Sequence, residues 1–241
     1  MTDEDGALVR STPTLPCSDG FTMPSYLARP AGDGPWPGIV MMYEAFGMND
    51  EMRRLADVFA AAGFVVLIPD LFARGTRIGC VTRLMGQLRR GEGRGVDDLL
   101  QARATLAELP EVDGERIGIA GFCIGGGFAL LLAKTGLFRV AAPFYGEAPT
   151  SLEGSCPVVG SWGGRDRFYL ASAERTEAEL TRLGVPHDVK VYPGVGHSFM
   201  NRAPNRLIGW IERLAGAGFQ PEAAADATER VVAFFEEHLG A

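Results

Sequence analysis

Residues 118–127 read G-I-A-G-F-C-I-G-G-G. An apolar run enters a glycine cluster with one thiol, Cys123, in its middle. The stretch G-F-C-I-G (121–125) has the form G-x-nucleophile-x-G, the signature of a sharp strand-to-helix turn that presents a nucleophile. Such a turn strains the backbone of its central residue, so the flanking positions must be small, which Gly121 and Gly125 are. It also lifts the side chain clear of the sheet and aims the N–H of Ile124, at a helix N-terminus, toward a developing oxyanion. The same helix end favours a thiolate. Asp166 and His197 follow in the order nucleophile, acid, histidine. In that arrangement His197 takes the thiol proton, while Asp166 fixes the tautomer and stabilises the imidazolium.

Each of these residues also has an ordinary explanation. A lone cysteine is usually a small buried hydrophobe, and an aspartate in a loop is usually a turn residue. The glycines could cradle a dinucleotide phosphate, but the spacing is not G-x-G-x-x-G. His187, at the start of a strand, and His238, at the end of the last helix, read as ordinary cases. What argues for chemistry is the joint order, with each residue lying just beyond its own predicted strand.

The elements that must position these residues alternate. Strands are predicted at 21–29, 38–43, 64–70, 116–121, 140–145, 157–162 and 188–192, all rich in apolar residues. Helices are predicted at 51–62, after the N-cap candidates Asn49 and Asp50, and at 97–109, 128–133, 171–183 and 221–239. Residues 1–14 read as a loose arm, and the Arg- and Gly-rich segment 71–95 as irregular chain covering the pocket. Strands alternating with helices imply one α/β domain over 1–241, a mainly parallel sheet with helices on both faces. Ligands in such sheets bind beyond the carboxyl ends of the strands. Glu44, Asp70 and Arg74, Cys123, Glu147, Asp166 and His197 all fall there.

Composition bounds the function. The net charge of −7 supplies no broad positive field, which argues against a nucleic-acid binder. No apolar run approaches the length of a membrane span, and the start, MTDEDGALVR, is acidic and unlike a secretory signal. Cys17, Cys80, Cys123 and Cys156 form no C-x-x-C pair, so neither zinc nor a disulfide framework is expected. The expectation is a cytoplasmic protein with reduced thiols and no metal.

The assembled residues resemble the dienelactone hydrolase (carboxymethylenebutenolidase) family of α/β-hydrolases. The matching pieces are Y-E-A-F-G-M-N (43–49), I-P-D-L-F-A-R (68–74), G-F-C-I-G-G-G (121–127), F-Y-G (144–146), G-G-R-D (163–166) and G-H-S-F (196–199), within a likeness over 18–239. The resemblance implies an α/β-hydrolase fold and a cofactor-independent Cys–His–Asp hydrolase. It would open the ring of an unsaturated, anionic lactone or ester through an acyl-thioester, and it is expected to be monomeric. It implies that Glu44 helps deprotonate Cys123 and that Arg74 holds the substrate carboxylate. By position, Ala45 N–H joins Ile124 N–H as an oxyanion donor, Ser198 and Tyr145 line the pocket, and Arg202 in M-N-R (200–202) is the candidate for the family's second substrate arginine. Alternatives are a general carboxylesterase or thioesterase of the same fold, or a non-catalytic binding or thiol redox-sensing protein.

Overall fold

The computed structural model describes residues 7–202 and 218–240. Nine strands form the sheet: β1 (Leu8–Ser11), β2 (Thr14–Pro16), β3 (Thr22–Pro30), β4 (Trp36–Met42), β5 (Val65–Pro69), β6 (Val112–Phe122), β7 (Ala141–Phe144), β8 (Val158–Gly163) and β9 (His187–Tyr192). Their order is β1-β3-β5-β4-β6-β7-β8-β9, with β2 paired to β3. From β5 to β9 every neighbouring pair is parallel, whereas β3 runs antiparallel to β5 and β1 antiparallel to β3. This is the predicted α/β-hydrolase-like architecture. The parallel strands are buried on both faces, which is why they read as continuous apolar runs rather than alternating ones.

The chain leaves β4 for β5 on one side of the sheet and later enters β6 on the other side of β4. That reversal opens a crevice between the carboxyl ends of β4 and β6. The loops that begin there carry Glu44 and Cys123.

Among the described residues, six α-helices flank the sheet: α1 (Asp50–Ala61), α2 (Arg77–Arg90), α3 (Arg94–Ala107), α4 (Ile124–Ala133), α5 (Leu170–Leu183) and α6 (Pro221–Leu239). α1 starts where the sequence places its cap: the Asn49 side chain accepts the Met52 N–H. Its buried stripe is Met52, Leu55, Ala56, Phe59 and Ala60. α4 is buried almost all round, as its composition requires. A Cβ on Gly126 would sit 2.6 Å from the Phe144 carbonyl oxygen, so the glycines of α4 let the helix lie directly on β7.

Two expectations are corrected. Segment 71–95 is not irregular: Leu71–Arg74 form a 3₁₀ turn and 77–90 form α2. Thr76 caps α2 by accepting the Gly79 N–H, and Gly91 ends it in the left-handed region at φ 75°. The Arg and Gly content hides a helical stripe of Cys80, Leu84, Gln87 and Leu88 that packs inward. Nor is the amino-terminal segment loose throughout. Leu8–Ser11 pair with Leu27–Pro30, and Thr14–Pro16 with Thr22–Pro24. Residues 1–6 of the expected arm lie outside the described residues. Among the described residues, no helix is long and apolar enough to cross a membrane.

Candidate active site

Cys123 is the residue between β6 and α4, with φ 56° and ψ −114°. A non-glycine residue there is strained by roughly 1–3 kcal/mol. Among the other described non-glycine residues only Tyr145 (φ 41°) and Ser198 (φ 58°) have a positive φ, and they lie beyond β7 and β9 at the same edge of the sheet. The surroundings hold Cys123 in place. Its N–H donates to the Phe144 carbonyl at 3.0 Å. A Cβ on Gly121 would collide with the Gly125 carbonyl, and one on Gly125 with the backbone of Met42 and Tyr43. The predicted need for small neighbours is therefore met by direct backbone contact. Ile124 is the first residue of α4, so its N–H has no acceptor within the helix.

Asp166 and His197 come from the loops after β8 and β9, and backbone bonds staple these loops together. Gly164 N–H donates to Tyr192 and Arg165 N–H to Val195, both at 2.8 Å. A side chain on Gly163 would strike the Val195–Gly196 backbone, so glycine permits the approach. The Asp166 side chain has no solvent exposure. Its Oδ1 accepts the N–H groups of Phe168 and Tyr169, and its Oδ2 accepts from His197 Nδ1 at 2.6 Å. A carboxylate only accepts, so Nδ1 carries the proton and Nε2 is left for another partner. Cys123 is near enough to the imidazole to act on its proton affinity. Burial lowers the His197 pKa, but Asp166 and then Cys123 outweigh it and push it up to about 10. The rings of Tyr145 and Tyr169 flank His197, with centroids at 4.9 and 5.4 Å.

Glu44, directly after β4, is 5% exposed. Its Oε2 accepts from Ser198 Oγ at 3.1 Å and from Asn201 Nδ2 at 2.6 Å. Asn201 also donates to the Tyr145 hydroxyl at 3.3 Å. Burial, and then the charges of Glu44 and Cys123, push the Tyr145 pKa well above its ordinary value, so this phenol stays neutral. Glu44, Ser198 and Tyr145 are thus brought together through Asn201 at the sheet edge that carries Cys123, and Ala45 follows Glu44 in the same loop. Asn201 joins this cluster although M-N-R (200–202) draws the eye only to its cation, since an amide carries no charge to mark it.

Arg74 is a correction. Its guanidinium does not present itself to a substrate carboxylate. Nε and Nη2 grip Asp98 at 2.8 and 2.9 Å, Nη1 and Nη2 grip Asp19 at 2.8 and 3.1 Å, and the group lies 4.3 Å from the Phe21 ring centroid. With its side chain only 8% exposed, Arg74 ties the β2–β3 turn to α3. Arg202 is exposed; its N–H donates to Glu51, and its guanidinium lies 5.3 Å from the Phe219 ring centroid. Neither arginine is drawn into the Glu44 cluster.

Comparison with known proteins points one way. The dienelactone hydrolase family matches residues 23–239. A carboxymethylenebutenolidase of Rhodococcus opacus is 30% identical, over 89% of this chain and 86% of its own. A protein of Azospirillum brasilense, provisionally given the same name, is 32% identical over 94% and 98% of the two chains. A crystal structure from Klebsiella pneumoniae, provisionally described as a dienelactone hydrolase, superposes with a TM-score of 0.78 at 25% identity, over 96% of this chain and 99% of that one.

Proposed function

The chain belongs to the dienelactone hydrolase family, and from that premise we propose that it hydrolyses a lactone or carboxylic ester through Cys123, His197 and Asp166. The observation that carries this reading is the position of His197. Its ring is bonded to Asp166 at 2.6 Å and lies near enough to Cys123, the strained turn residue, for the two to act on each other.

The chemistry follows from the groups present. His197 Nε2 takes the thiol proton, and the thiolate attacks the carbonyl carbon. The charge that develops on the carbonyl oxygen is met by the N–H of Ile124 and of Ala45. The ester C–O bond breaks, the leaving oxygen takes the proton from His197, and the acyl group remains on Cys123 as a thioester. Water then gives a proton to His197, attacks the thioester and releases the acid, and the thiolate recovers its proton. Asp166 keeps Nδ1 protonated throughout, so Nε2 faces the sulfur. Glu44 places a negative charge near the nucleophile. That charge disfavours the resting thiolate and keeps the thiol less open to oxidation.

The substrate class proposed is a lactone or ester with an anionic group, as for the carboxymethylenebutenolidase relative. The reaction uses no cofactor, and the protein is proposed to act as a cytoplasmic monomer. The test is hydrolysis of a panel of lactones and aryl esters by the native protein and by Cys123→Ala and Asp166→Asn. Both variants should lose turnover, and mass spectrometry of quenched native protein should find the acyl group on Cys123. Equal turnover in Asp166→Asn would overturn the triad.

A further inference from the structure

With Arg74 bound to two carboxylates, the site needs another way to read substrate charge. A groove of about 280 Å³ runs along α4 between the end of α2, the loop after β7 and the face of α5. Its walls include Leu88 and Leu131, and four cations stand around it: Arg89, Arg90, Lys134 and Arg175. They face a single lining carboxylate, Glu147, in a protein whose net charge is −7. Among the described residues, none of the four pairs with a carboxylate. The one side-chain bond among them runs from Arg175 to the Ser172 hydroxyl.

We propose that this groove holds the anionic end of the substrate's acyl chain, with Arg89 and Arg175 as the residues that select it.

The placement supports the idea in three ways. First, Leu88 lies against Gly127, one helical turn from Cys123, so the groove begins beside the nucleophile's own helix. At 1.5 Å per residue, Gly127 to Leu131 spans roughly 6 to 12 Å from Cys123 along the helix axis. Second, Arg175 sits on the helix that begins just after Tyr169, whose ring faces His197. Third, the Tyr169 hydroxyl is pushed up to about 12 by burial and then by Cys123, Glu147 and Asp166, with Arg89 acting in the opposite direction. Arg89 and the nucleophile therefore act on the same phenol. An acyl chain attached at Cys123 can lie on Leu88 and Leu131 and bring a terminal carboxylate among guanidinium groups that pair with it in bidentate fashion.

The proposal rests on the hydrolase reading above, and its test separates the two. The probes are the para-nitrophenyl half-esters of adipate and suberate, set against para-nitrophenyl octanoate. The native protein should prefer the suberate half-ester to the octanoate ester. In Arg89→Gln/Arg175→Gln the ratio of kcat/KM for these two should fall at least tenfold. Arg182→Gln, which removes a charge from an exposed pair with Glu179, should leave the ratio in place. A ratio unmoved by the double substitution, or moved equally by Arg182→Gln, overturns the groove while the hydrolase stands. A second measurement needs no turnover: calorimetric titration of suberate into Cys123→Ala protein, with and without the two arginine substitutions. Affinity should drop at least tenfold. Absence of suberate binding, or equal affinity, overturns the groove even if no ester is hydrolysed.

Discussion

Two charged networks sit at the carboxyl edge of this sheet and are built on opposite terms. Around Arg74, each of the three guanidinium nitrogens donates to Asp98 or Asp19, and the group is closed over by Phe21. Around Glu44, the Ser198 hydroxyl and the Asn201 amide donate to the carboxylate. The first network cancels its charge within the fold. The second joins a carboxylate after β4 to residues after β7 and β9, at the sheet edge that also carries Cys123 and His197. The comparison teaches that a charged residue after a strand is not thereby a site residue. What decides is which partners the fold brings to it.

The sharpest way to break the comparison is to remove the nucleophile. Cys123→Ala should lose at least about 10⁴-fold in kcat on any ester the protein hydrolyses, by the magnitudes found for triad residues. Its thermal midpoint should stay near the native value, because Cys123 is only partly buried at the margin of the core and its truncation empties little space. A folded Cys123→Ala protein with near-native turnover would put the chemistry elsewhere.

Arg74→Ala should do the reverse. Removing one partner of a buried ion pair costs about 3–5 kcal/mol, here because Asp98 is left buried with its main partner gone. Urea unfolding measures this. In the folded fraction, the preference between anionic and neutral esters should be unchanged. A selective loss on anionic esters without loss of stability would return Arg74 to the site and erase the contrast.

The sequence made most of this legible. Continuous apolar runs gave the parallel strands, and Asn49 and Gly63 bounded α1 to within a residue. Cys123, Asp166 and His197 could be read because each follows a strand in a fixed order, and the turn demands glycines at fixed positions. Three things were hidden. α2 is hidden because Gly79 and Gly86 lower the local helix propensity, while its buried stripe shows only against α3 and α4. The roles of Arg74 and Asp98 depend on a pairing between residues 24 apart in sequence, which no local pattern encodes. Asn201 was hidden because an amide is chemically bland until its partner is known. Its importance comes from Glu44, 157 residues away.

The His197 pair gives a pH test of the open network. The folded-state pKa is raised to about 10 from about 6.5 in the unfolded chain. The imidazolium therefore contributes stability that is fully present below about pH 6.5 and is lost as the pH rises toward 10. Cys123→Ala removes one of the two partners that raise the pKa, so its stability should decline less over that window. Urea midpoints at about pH 6 and about pH 10 for both proteins give the two slopes. Equal slopes would mean that the thiol does not act on the ring.

The smallest expected effect tests the Glu44 cluster itself. Asn201 donates one short hydrogen bond to a buried carboxylate, and a bond to a charged group is worth about 1.5–3 kcal/mol. If part of that holds Glu44 in the geometry that the reaction uses, Asn201→Ala should lower kcat/KM by about tenfold, since 1.4 kcal/mol is one decade. Loss of the donor also disfavours the carboxylate form, so the acidic limb of the pH–activity profile should move to higher pH. A packing defect alone would lower activity without moving that limb, as is expected for Arg74→Ala. Asn201→Asp sharpens the point by placing a second carboxylate where the amide was, 2.6 Å from the first. Two like charges at that distance cannot both ionise without cost, so the limb should move further than in the alanine variant. Profiles that fall in height but keep their midpoints in both variants would make Asn201 a structural residue and leave the Glu44 network no different in kind from that of Arg74.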